Sequence, residues 1–152
     1  MNKLVAQTLA KKENGEKGFT LIELLVVVII IGILAAIAIP IFLNMREGAW
    51  KSSVESDVTN AVLVVEQAST ANNGKVAGLT QSTPAKGASY TFGTATDTIT
   101  GTVSAGNTIT IKADGTANTY TIAGENENIT SGDQYYVYDS TTGKGEWKSA
   151  KP

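Results

Sequence analysis

The sequence predicts an α+β fold: a long N-terminal helix packed on a small antiparallel β-sheet. Three features carry that expectation. Over residues 24–43 nothing is charged, and as a helix at ~1.5 Å per residue such a run covers roughly 30 Å, the thickness of a bilayer's hydrocarbon core. Beyond Asn44, apolar residues recur at spacings of three and four, which is one stripe of an amphipathic helix. From Lys75 onward, short alternating segments rich in Thr, Gly, Ser and Asn take over, as in half-buried strands joined by turns.

The apolar run is the most informative stretch. A core helix of a soluble domain is shorter and keeps a polar stripe, whereas this one is apolar all round, so it is read as membrane-spanning. Glu23 lies at its inner end and Gly18 just before it. An ordinary secretory signal places its small-residue cleavage site after the apolar segment, so cutting removes that segment. Here the small residue comes first, and a cut there leaves the helix on the mature protein. Residues 1–18 read as a leader in which Lys3, Lys11, Lys12 and Lys17 outnumber Glu13 and Glu16. That lysine excess keeps the leader in the cytoplasm and sends everything after residue 43 outward.

The segment Gly18-Phe19-Thr20-Leu21-Ile22-Glu23, followed by an apolar run containing Gly32 and Pro40, resembles the class III signal of type IV pilins and their pseudopilin relatives. The resemblance covers about the first third of the chain, roughly residues 15 to 70. It implies that a prepilin peptidase cuts between Gly18 and Phe19 and methylates the new amino group of Phe19, making both substrate positions rather than catalytic ones. It further implies a homo-oligomeric helical filament, pilus assembly machinery as partner, and the cell membrane as the station before assembly. Glu23 would serve filament assembly by meeting the amino terminus of a neighbouring subunit. A carboxylate in hydrocarbon costs about 2.5–3.5 kcal/mol at mid-bilayer, less near the interface, and normally has a partner. The ammonium of Phe19 on the same chain is the alternative one. Two departures stand out. The chain has no cysteine, so the disulfide that pins a C-terminal loop in many pilins is excluded. The leader is also longer than those of many Gram-negative pilins, which points toward a Gram-positive or other non-proteobacterial source.

Within the helix, Pro40 removes one backbone hydrogen bond and Gly32 costs about 1 kcal/mol of helix preference relative to Ala. In pilins that resemble this chain, the segment between two such residues unwinds in the filament. A harmless kink is the plain alternative, since lipid-embedded helices tolerate both. Residues 44–73 form the amphipathic half, with Val54, Val58, Ala61, Val62, Val65 and Ala68 on one stripe. Met45, Arg46 and Trp50 fall at the outer membrane interface or between neighbouring subunits. Asn72-Asn73-Gly74 supplies the residues that end helices.

Residues 74–152 are read as the β domain. Residues 75–89, with Pro84, form a joining loop. Strands are expected at 89–92, 98–103, 108–112 and 119–123 as an antiparallel meander, with threonines on the wet face. Residues 124–133 read as a polar acidic loop. Its oxygen ligands raise the question of calcium, but the ordered D-x-D-x-D-G pattern is absent. Asn128-Ile129-Thr130 fits an N-glycosylation triplet, a pattern frequent by chance. Residues 135–138 and 146–148 form a terminal hairpin, with Tyr136, Tyr138 and Trp147 as a packing cluster.

With neither histidine nor cysteine, the commonest acid/base, thiol and metal-binding side chains are missing. No cofactor, metal or enzymatic activity is expected. A mildly acidic mature chain also lacks the basic face of a nucleic-acid binder. Two classes of function remain. One is the structural subunit of a type IV pilus, supporting adhesion, motility or DNA uptake. The other is a low-abundance pseudopilin or minor pilin of a type II secretion or competence system, or a membrane-tethered binding module.

Overall fold

A computed structural model describes residues 18–82, 85–130 and 132–152. Nearly all of the leader, together with Pro84 and Ser131, therefore lies outside the described residues. The chain divides into two compact units, Met1–Phe42 and Leu43–Pro152. One helix, α1 (Leu21–Ala71), is followed by strands β1 (Thr80–Gln81), β2 (Ala85–Lys86), β3 (Ser89–Gly93), β4 (Thr98–Thr102), β5 (Asn107–Asp114), β6 (Thr119–Asn126), β7 (Tyr135–Asp139) and β8 (Lys144–Lys148). The α+β class is as expected.

In the first unit every described large apolar side chain from Phe19 onward is exposed, from 47% at Leu25 to 86% at Phe19. No other described element of that unit covers them.

In the second unit the 3–4 stripe becomes the core. Val54, Val58, Ala61, Val65 and Ala68 are buried, and Val62 is half-buried. They meet Tyr90 and Phe92 from one sheet, Val103 just past the end of β4, and Ile109, Ile111, Tyr120 and Ile122 from the other sheet. The helix stops where the sequence said it would. Asn73 takes φ 57°, and the Gly74 N–H donates to the Ser69 carbonyl at 2.8 Å, the six-to-one bond that closes a helix C-terminus.

The single expected meander is replaced by two antiparallel sheets, in the orders β1-β3-β4 and β2-β5-β6-β7-β8. The turn 104–107 has hairpin chemistry, yet β4 and β5 do not pair. Segment 85–93 lies between them: β2 pairs with β5, β3 with β4, the Val103 N–H donates to Ala88 O, and the Gly87 N–H donates to Asn107 O. The joining loop expected at 75–89 thus contributes β1 and β2 as strands. β6 also runs further than expected, so Gly124, Glu125 and Asn126 belong to a strand and not to the acidic loop. Gly124 permits this because a Cβ there would lie 2.6 Å from Val58 and 2.8 Å from Val54. A side chain would lever the strand off the helix.

A buried polar latch joins helix to sheets. The Asp57 carboxylate, 5% exposed, accepts from the Ser104 N–H at 2.8 Å, the Ser104 hydroxyl at 3.0 Å and Asn107 Nδ2 at 2.7 Å. Asn107 Oδ1 in turn accepts from Asn126 Nδ2 at 2.6 Å. The amphipathic stripe gave no sign of it, because Asp57 breaks the apolar pattern that identified the buried face.

Aromatic side chains fill the rest. Tyr136 packs on Trp147 with centroids 5.4 Å apart, while Tyr138 stacks on Tyr120 at 6.0 Å. The expected cluster is thus two pairs. Burial, and secondly the nearby Asp57 charge, push the Tyr90 hydroxyl up to about 12; burial and the bond it donates to Glu66 also raise Tyr120. A folded-state value above the unfolded value of about 10 stabilises the fold fully below that pH, and the contribution is lost as pH rises through about 12. Alkaline titration followed by near-UV circular dichroism is therefore expected to show unfolding within that window, shifted upward in Tyr90→Phe.

Candidate functional site

The N-terminal end of α1 is built by a local motif. Thr20 is its N-cap: its carbonyl accepts the first helical bond from the Leu24 N–H at 3.2 Å, and its hydroxyl oxygen accepts from the Glu23 N–H at 3.3 Å. Glu23 reaches back, Oε2 accepting from the Thr20 N–H at 2.9 Å and the Thr20 hydroxyl at 2.6 Å. This reciprocal capping box satisfies two of the donors that every helix start leaves open. Its signature, T-x-x-E directly before an apolar run, was present in the sequence and is the signal that could have revealed it.

Glu23 therefore accepts two hydrogen bonds within its own chain, both from Thr20. Both bonds use Oε2, which among the described residues leaves Oε1 for a further donor. Around the carboxylate lie Phe19, Ile22, Val26 and Val27, an apolar strip along one side of the helix start. Gly18 and Phe19 precede the helix and are exposed, in non-helical backbone. Gly32 and Pro40 are both inside α1, which is continuous through them. A Cβ at Gly32 would touch nothing within 4 Å. No close neighbour in the monomer requires the glycine.

Past the apolar run, Arg46 sits over the Trp50 ring at 5.0 Å and Lys51 pairs with Glu47 at 2.9 Å. Lys51 also lies 5.4 Å from the Trp147 ring, and Trp147 Nε1 donates to Glu55 at 2.8 Å. The β7–β8 hairpin is thereby fastened to α1 through Trp147, a tie across distant sequence that periodicity could not disclose. Among the described residues no three acidic side chains converge as a metal site would need.

Contiguous exposed apolar surface of this extent marks a membrane or protein contact, and α1 is the one described helix long and apolar enough to cross a bilayer. Residues 14–39 match the family model described as a prokaryotic N-terminal methylation motif. The chain is 52% identical over 40 residues to the type IV narrow pilus major component PilA5 of Thermus thermophilus, covering 26% of this chain and 34% of that one. It is 37% identical over 101 residues to a fimbrial protein of Pseudomonas aeruginosa, covering 59% and 66%. It is also 39% identical over 46 residues to the type II secretion system core protein G of Dickeya chrysanthemi, covering 30% of each. The matches to the first two relatives thus span about a third to two thirds of their lengths. No solved structure matches the chain significantly.

Proposed function

Because the chain belongs to the type IV pilin superfamily and carries its class III prepilin signal, we propose that it is the structural subunit of a type IV pilus filament. The family is structural and not enzymatic. The observation that supports the reading is the apolar start of α1, exposed on all sides and lying largely within the matched methylation motif. Cleavage between Gly18 and Phe19 leaves that helix on the mature protein, which waits in the membrane with its β domain outside. Filament entry exchanges lipid for neighbouring helices of similar polarity, so the transfer costs little. One repeated head-to-tail contact that does not close generates an open helix of any length.

Glu23 supplies the register. The ammonium, or methylated ammonium, at Phe19 of an incoming subunit meets the Glu23 carboxylate of its neighbour, whose Oε1 is open while Oε2 holds the cap. An ion pair in low dielectric is strongly destabilised when one partner is missing, which rejects misaligned subunits. Between Gly32 and Pro40 the helix loosens inside the filament, where neighbouring helices re-satisfy the freed backbone groups. Adhesion, motility or DNA uptake are then properties of the filament.

Similarity to a type II secretion core protein favours a second reading, a pseudopilin or minor pilin acting in few copies. Abundance separates the two. Cells sheared to release surface fibres are expected to yield a preparation in which this chain is the dominant protein; a trace amount sustains the pseudopilin reading instead.

A further inference from the structure

We propose that residues 149–152, following β8, form a strap that closes the outer face of the five-stranded sheet, and that its charge contacts make it releasable by salt.

The sheet has two faces. Ile109, Ile111, Tyr120 and Ile122 point toward α1 in the main core. By strand alternation Thr110, Lys112, Ala123, Glu125, Tyr135 and Val137 stand on the opposite face. An outer face with nothing over it would leave its apolar residues wet. Yet Ala123 and Val137 are each only 4% exposed, directly paired across β6 and β7, and outside the main cluster. Beside them Thr110 Oγ1 is shielded from solvent with no hydrogen-bond partner among the described residues.

The cover is the chain itself. From Lys148 at the outer edge, Lys151 reaches Glu125 on β6 at 2.7 Å and lies 6.0 Å from the Tyr135 ring on β7. Lys112 on β5 donates to the Pro152 carbonyl. The segment therefore runs from β8 across β7 and β6 to β5, a span of ~14 Å that four extended residues cover. A subunit without cysteine has no covalent hold on this edge, and the strap supplies a non-covalent one.

Hydrogen exchange on the full-length protein in detergent micelles tests it. Deleting residues 149–152 is expected to speed amide exchange in Tyr135–Asp139 about tenfold while leaving the buried stripe of α1 unchanged. Lys151→Ala gives part of that effect and Lys151→Arg restores protection. Raising salt from about 10 mM to about 1 M shortens the Debye length from ~30 Å to ~3 Å; it is expected to speed exchange in the intact chain and not in the deletion. Unchanged exchange on deletion, or equal salt responses in both proteins, overturns the strap. Should deletion unfold the domain, Lys151→Ala against Lys151→Arg decides: unequal exchange supports the strap and equal exchange overturns it.

Discussion

Glu23→Gln is expected to abolish surface filaments, lowering the sheared yield at least about a hundredfold, while the precursor is still made, inserted and cut. The substitution is chosen because Glu23 has two roles that an alanine would confound. In the monomer it closes a capping box with Thr20, and glutamine fills that position as well as glutamate does. The charge is lost but the helix start is kept. If filament register rests on the carboxylate meeting a neighbour's ammonium, the pair is replaced by a buried cation facing a neutral amide, a loss of about 3–5 kcal/mol per contact. Repeated at every subunit, that is enough to stop growth. Thr20→Ala makes the complementary change: it weakens the cap by about 0.5–2 kcal/mol and keeps the carboxylate. Filaments are expected to persist in it. Electron microscopy of both strains, with immunoblots for the processed chain, reads the difference. Normal filaments in Glu23→Gln would remove the assembly role.

The second large effect lies in the β domain. Asp57→Ala is expected to destabilise it by about 1–3 kcal/mol, because the Ser104 N–H, the Ser104 hydroxyl and Asn107 Nδ2 all lose the carboxylate that ties them to the helix, although exposed Ser104 can turn to water and Asn107 Nδ2 keeps Ser53 Oγ. Those donors sit at the link between β4 and β5, so the loss also loosens that link. Denaturant unfolding of the full-length chain in detergent, followed by tryptophan fluorescence, measures it. Asp57→Asn is expected to fall between, since its one remaining carbonyl oxygen cannot accept all three bonds.

The helix, its C-terminal stop at Asn73-Gly74 and the buried stripe were legible in the sequence because each rests on local periodicity or local turn chemistry. The signal around Gly18 and Glu23 is legible too, and the T-x-x-E pattern that makes the capping box of Thr20 and Glu23 is as local as they are. What could not be read were contacts across long sequence separations. Residues 104–107 look like a hairpin turn, and only the insertion of 85–93 between β4 and β5, with Asp57 gripping Ser104, turns one sheet into two. Gly124 reads as loop until Val54 and Val58 are seen to press on it. The contacts of Lys151 with Glu125 and of Lys112 with Pro152 likewise join residues far apart in sequence.

All of the functional reading depends on a cleavage that spares the apolar helix and exposes Phe19 for assembly. Mass spectrometry of the N-terminal peptide from sheared surface fibres tests this most directly. The account predicts a chain that begins at Phe19, carries a methyl group on its amino nitrogen, and retains residues 19–43. A chain that begins at Met1, or one that has lost the apolar segment, would contradict it.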